Sequence, residues 1–72
     1  MTPKTLSILV PVYQNAGSLR EMSSRLLALG PQLPGFRLDL VFVDDGSTDG
    51  SYELLLELHA SNPGVIRVVK LS

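Results

Sequence analysis

Three observations predict an α/β fold, a Rossmann-like β-α-β-α-β half-sheet of parallel strands. Three apolar, β-favouring runs alternate with two segments of helical periodicity. The middle run ends in Val41-Phe42-Val43, apolar on both faces, as a strand buried within a parallel sheet must be. That run stops on two adjacent carboxylates, Asp44 and Asp45, followed by Gly46-Ser47-Thr48-Asp49-Gly50. In open α/β sheets ligands gather just beyond such strand ends.

The first strand is expected over residues 5–11, from Leu6, Ile8, Leu9 and Val10, with Pro11 ending it because proline has no donor for a sheet ladder. Tyr13 to Gly17 reads as a loop. Ser18 with Glu21 three positions on predicts a capping box, so a helix starts after Ser18. Leu19, Met22, Leu26 and Leu29 form its apolar stripe, with Arg20, Glu21, Ser24 and Arg25 opposite. Gly30-Pro31 is expected to close it, the glycine as a left-handed cap.

Leu38 to Val43 forms the second strand. Ser47 is the expected N-cap of a second helix, with Thr48, Asp49 and Gly50 in its first turn and Leu54, Leu55 and Leu58 on its buried side. Asn62-Pro63-Gly64 stops that helix, and Val65, Ile66, Val68, Val69 and Leu71 supply the third strand. Helical crossovers imply parallel strands with right-handed connections, in spatial order 3-2-1.

The chain has 72 residues, so one small domain is the upper bound. Its first strand, central in doubly wound folds, should need neighbours on both sides. Residues 1–72 are therefore expected to be the amino-terminal nucleotide-binding portion of a domain cut short at its carboxyl end. The net charge of −1 supplies no general field for nucleic acid or anionic membrane. Absent cysteine and a single histidine exclude disulfides and Cys- or His-clustered metal sites. The apolar run after Met1-Thr2-Pro3-Lys4 is too brief for a membrane span and lacks a signal-peptide pattern, so a cytoplasmic segment is expected.

Asp, Gly and Ser are turn formers, and either carboxylate alone reads as well as a turn residue as a ligand contact. The doubled Asp beside a second unusual strand end, Pro11-Val12-Tyr13, makes a crevice floor. There a carboxylate accepts the ring N–H of a uracil or guanine, and Tyr13 stacks on the base or lines its ribose. Neither a Gly-x-Gly-x-x-Gly nor a Gly-x-x-x-x-Gly-Lys-Ser/Thr loop is present to hold phosphate. Asp45, Ser47, Asp49, Gly50, Ser51 and Glu53 fit part of a calcium loop, but Leu56 stands where a bidentate Glu is required. His59 reads as a solvent-facing or dipole-interacting residue. The arginines are scattered surface charges, and Lys70 is a candidate phosphate contact near a strand end.

Leu9-Val10-Pro11-Val12-Tyr13 together with Val43-Asp44-Asp45-Gly46-Ser47-Thr48-Asp49-Gly50-Ser51 resembles the amino-terminal part of the family 2 glycosyltransferases. Val69-Lys70-Leu71-Ser72 is similar to the dolichyl-phosphate mannose synthase-like and bacterial polyprenyl-phosphate glycosyltransferase branch. The resemblance implies a GT-A nucleotide-sugar-binding fold in which Pro11, Tyr13 and Asp44 contact the nucleoside and Asp45 holds the turn or assists. Relatives commonly carry Glu where this chain has Asn15, an amide able both to donate and to accept. No residue here is expected to be catalytic, and these residues alone are expected to be inactive.

The implied reaction moves a hexose from a UDP- or GDP-sugar to a lipid-phosphate or glycan acceptor such as a polyprenyl phosphate, in cell-envelope glycan synthesis. It is assisted by a divalent cation, Mg or Mn, whose ligands lie outside this chain. The full-length protein is expected at the cytoplasmic face of the membrane. Two rivals from other classes are a receiver-like regulatory module with an acidic pair and a scaffold that self-associates through its uncovered sheet. Receiver domains put acidic residues at the end of strand one, where this chain has Pro11-Val12-Tyr13.

Overall fold

The computed structural model describes residues 4–71. The leader Met1 to Pro3 and the closing Ser72 lie outside them. Strand β1 spans Lys4–Val12, helix α1 Leu19–Leu27, β2 Phe36–Asp44, α2 Ser51–Ser61 and β3 Ile66–Lys70, with a 3₁₀ turn at Gly30–Gln32. The strands pair in parallel in the order β1-β2-β3, which is the expected 3-2-1 order with β2 in the centre.

Alternation along β2 divides the sheet into two faces. Leu38, Leu40, Phe42 and Asp44 are buried on one side, while Arg37, Asp39, Val41 and Val43 take the other. Both helices cover the first face, and Val12, Leu19, Leu38, Leu40, Phe42, Leu55 and Ile66 form the core there. Each such side chain stabilises by about 1.5–3 kcal/mol through removal from water. On the opposite face Leu9 and Val69 stay exposed among the described residues.

β1 runs through Pro11 where an end was expected. The N–H of Lys4 donates to Gly35 and the carbonyl of Val12 accepts from Asp45, so the even-numbered residues of β1 turn their polar backbone toward β2. Pro11 faces away, along the side of β1 that no strand among the described residues pairs, so its missing donor interrupts no ladder bond there.

Helix α1 departs from its expected caps at both ends. Ser18 makes no side-chain cap bond, because its hydroxyl donates to the carbonyl of Asn15 at 3.3 Å while Glu21 pairs with Arg25 at 2.7 Å. Its carboxyl end closes at Ala28, whose N–H reaches Ser24, and the chain passes into the 3₁₀ turn without a left-handed Gly30. No helix among the described residues is long and apolar enough to cross a membrane.

Candidate functional site

The parallel register brings the two unusual strand ends together. Pro11 pairs with Val43 and Val12 with Asp44, and the Asp45 N–H donates to the Val12 carbonyl at 3.0 Å. Tyr13 leaves this junction 62% exposed, and the Asp45 side chain is also exposed. Pro11 lies on the exposed side of the edge strand. Of the candidate residues, Pro11, Tyr13, Asn15, Asp44 and Asp45 thus all lie on the first two loops or the strand ends leading into them.

The two acids differ in their surroundings. Asp44 is completely buried, and its Oδ2 accepts the Ser47 N–H at 3.3 Å. Strand alternation places Asp44 on the buried face with Leu40 and Phe42, within reach of the turn, whereas Asp45 is exposed. The other oxygen, Asp44 Oδ1, is buried without a hydrogen-bond partner. An unsatisfied acceptor of this kind is costly to leave dry.

The segment after Asp45 does not begin a helix at Ser47. Helix α2 starts at Ser51, with Gly50 at its N-cap in the left-handed region at φ 91°. Ser47, Asp49 and Ser51 have other partners. The N–H groups of Gln14, Asn15 and Ala16 donate in turn to Ser47 Oγ at 3.0 Å, Ser51 Oγ at 3.0 Å and Asp49 Oδ2 at 3.1 Å. The Tyr13 N–H donates to Asn15 Oδ1 at 2.7 Å, so this amide braces its own loop. Four consecutive backbone donors of the first loop are satisfied by side-chain oxygens, two of them from the second loop and one from Ser51 at the start of α2.

Asp49 Oδ1 also accepts from the Ser51 hydroxyl and, at 3.1 Å, from the Ser51 N–H. The Ser51 hydroxyl bond, the largest influence, holds the Asp49 carboxyl below its ordinary value; desolvation opposes it and the Ala16 N–H adds a smaller lowering. The Gln14 side chain adds a reciprocal pair: Thr48 N–H donates to Oε1 at 2.8 Å, and Nε2 donates to Thr48 Oγ1 at 3.2 Å. Sequence reasoning missed Gln14, and nothing in its local pattern marks it.

Two peripheral candidates are also accounted for. Lys70 Nζ sits 4.6 Å above the Tyr52 ring, a cation–π contact against the first turn of α2. His59 is not simply solvent-facing, since Nδ1 lies 2.6 Å from the Ile66 carbonyl and ties α2 to the start of β3.

Among the described residues no three His, Asp, Glu or Cys side chains are grouped to hold a metal ion. Asp49 is already engaged by Ser51 and Ala16, and Asp44 faces the interior. These residues do not fit a divalent cation, and no step is assigned to one here. The partial calcium-loop spacing is used instead to join the two loops.

The family model described as "Glycosyl transferase family 2" matches residues 7–72. An undecaprenyl-phosphate 4-deoxy-4-formamido-L-arabinose transferase of Edwardsiella ictaluri is 40% identical over 63 residues, covering 88% of this chain and 19% of the relative. Proteins of the same name from Pectobacterium carotovorum and Pseudomonas fluorescens are 43% and 36% identical, over 83% and 93% of this chain. The chain thus spans about a fifth of these relatives, 18% and 19% of the last two. No solved structure matches the chain. With the match running from the first strand to the last residue, and with both strand-end motifs inside it, the chain belongs to glycosyl transferase family 2.

Proposed function

We propose that these residues form the nucleotide-binding part of a transferase that moves a sugar from a UDP- or GDP-linked donor to a polyprenyl phosphate. The observation that carries this reading is the pairing of an exposed aromatic ring, Tyr13, with an exposed carboxylate, Asp45, at adjacent parallel strand ends joined by the Asp45-to-Val12 hydrogen bond. A ring N–H of uracil or guanine donates to the Asp45 carboxylate, and Tyr13 stacks on the base through its π-face. Asp44 and Asn15 support the two loops from within. The names of the relatives favour a polyprenyl phosphate as the acceptor.

In the reaction a phosphate oxygen of the acceptor bonds to the anomeric carbon as the bond from that carbon to the diphosphate breaks, and the nucleoside diphosphate leaves. The present residues bind and orient the donor. They supply neither nucleophile nor base, and we place the ligands of any divalent cation outside them. A nucleotide-linked donor together with a polyprenyl-phosphate acceptor supports a position for the intact protein at the cytoplasmic face of a membrane.

Calorimetric titration of the intact protein with UDP and GDP tests the assignment of the two acids. Asp45→Ala is expected to lose nucleotide binding while keeping the native thermal midpoint, and Asp44→Ala to lower the midpoint. Native affinity in Asp45→Ala, with affinity lost in a stably folded Asp44→Asn, would return the base contact to Asp44 and its unpaired oxygen.

A further inference from the structure

Gln14 is the one non-glycine among the described residues with a positive φ, 55°. A long side chain has no intrinsic reason to adopt that region, unlike glycine or asparagine. Such strain persists where surrounding contacts over-determine it. Here the contacts are specific. The reversal at Gln14 turns its own N–H to Ser47 Oγ at 3.0 Å and those of Asn15 and Ala16 to Ser51 and Asp49. Its amide then closes on Thr48 from both sides, accepting at 2.8 Å and donating at 3.2 Å.

A continuous path of hydrogen bonds therefore runs from the buried Asp44 carboxylate through the Ser47 N–H and hydroxyl to Gln14, whose side chain returns to Thr48. Tyr13 immediately precedes the reversal, and its ring is exposed. Asp45 immediately precedes the turn that supplies the acceptors. The two groups assigned to the nucleotide are thus on different loops, and Gln14 fixes one loop against the other.

We propose that Gln14 is a positioning residue for the donor nucleotide, acting as a strained clamp that pre-organises Tyr13 against Asp45. This rests on the nucleotide-binding reading of the crevice and names the device that sets its affinity. Ordering two loops before the ligand arrives removes that ordering from the cost of binding. Loss of the clamp leaves the folded core, which lies on the helix-covered face, intact.

The experiment uses the intact protein, native and as Gln14→Gly, Gln14→Ala and Asp45→Ala, with UDP and GDP as calorimetric probes. Amide hydrogen exchange is followed at Tyr13 to Ala16. Gln14→Gly relieves the strained φ and removes the amide, so it is expected to keep the native thermal midpoint. Its affinity for the bound nucleotide should nevertheless fall about tenfold, with faster exchange at Asn15 and Ala16. Gln14→Ala should weaken binding by a similar factor, and if it unfolds, Gln14→Gly decides.

A Gln14→Gly affinity within about twofold of native overturns the clamp, since a merely structural residue would change stability and leave the affinity of the folded protein alone. If Asp45→Ala abolishes binding while Gln14→Gly does not alter it, only the clamp falls. If the native protein binds neither UDP nor GDP, the nucleotide reading falls and the clamp with it.

Discussion

Arg67 of β3 grips Asp39 of β2 with two parallel hydrogen bonds, Nε at 2.9 Å and a terminal guanidinium nitrogen at 2.8 Å, on the face that the helices leave open. Ser7 of β1 adds a third bond to the same carboxylate at 2.8 Å, so one Asp links all three strands. The arrangement depends on the fork of the guanidinium, which an ammonium cannot reproduce. The Arg67 side chain is 65% exposed and the Asp39 side chain 18%, so solvent screens much of the pair. Arg67→Lys is expected to lower the urea midpoint only slightly, measured by denaturation of the intact protein.

Acid stability follows from Asp39 and Asp49. Hydrogen bonding from Arg67 and then Ser7 holds Asp39 below its ordinary value of 3.8, and Ser51 does the same for Asp49. A carboxyl whose folded value is depressed contributes stability that is fully present above 3.8 and is lost as pH falls through the lowered folded value. The unfolding free energy should therefore drop as pH falls below about 4, and Asp39→Asn and Asp49→Asn should each flatten that limb. Denaturation curves between neutral and strongly acid pH check it, and an unchanged acid limb in both variants would contradict it.

Gly50 caps α2 at φ 91°, and a Cβ built there meets nothing within 4 Å. The cost of a side chain is thus conformational and free of collision. Gly50→Ala should destabilise by about 1–2 kcal/mol and Gly50→Asn by less, since asparagine tolerates the left-handed region. Equal losses for the two would argue against the assigned backbone geometry.

Phe42 stands at the centre of the core with no exposed surface, flanked by Leu40, Leu55 and Ile66. Phe42→Ala should cost about 3–5 kcal/mol, a large part of the total for a small domain. Leu56→Ala is the control, because Leu56 is 44% exposed and off the buried side of α2, and it should change stability by less than about 0.5 kcal/mol.

The strand and helix order was legible because apolar alternation, helical stripes and Gly-Pro punctuation are local signals. So was the meeting of Pro11-Val12-Tyr13 with Asp44-Asp45, which follows from parallel pairing. The inward aim of Asp44 was also readable, since it continues the alternation of Leu38, Leu40 and Phe42. The start of α2 was not. Ser47 has the composition of an N-cap, yet its hydroxyl accepts from Gln14, a partner 33 residues away that no local pattern displays. Ser18 and Glu21 likewise fit a capping box but found nearer or stronger partners in Asn15 and Arg25.

The most direct test of the account is a nitrogen–proton correlation spectrum of the intact protein titrated with UDP and with GDP. Saturable shifts concentrated at Tyr13 to Ala16 and Asp45 to Thr48, with Thr5, Asp39 and Arg67 unmoved, are the predicted result. No saturable shift with either nucleotide, or shifts confined to the Ser7–Asp39–Arg67 end of the sheet, would contradict the placement of a nucleotide at these strand ends.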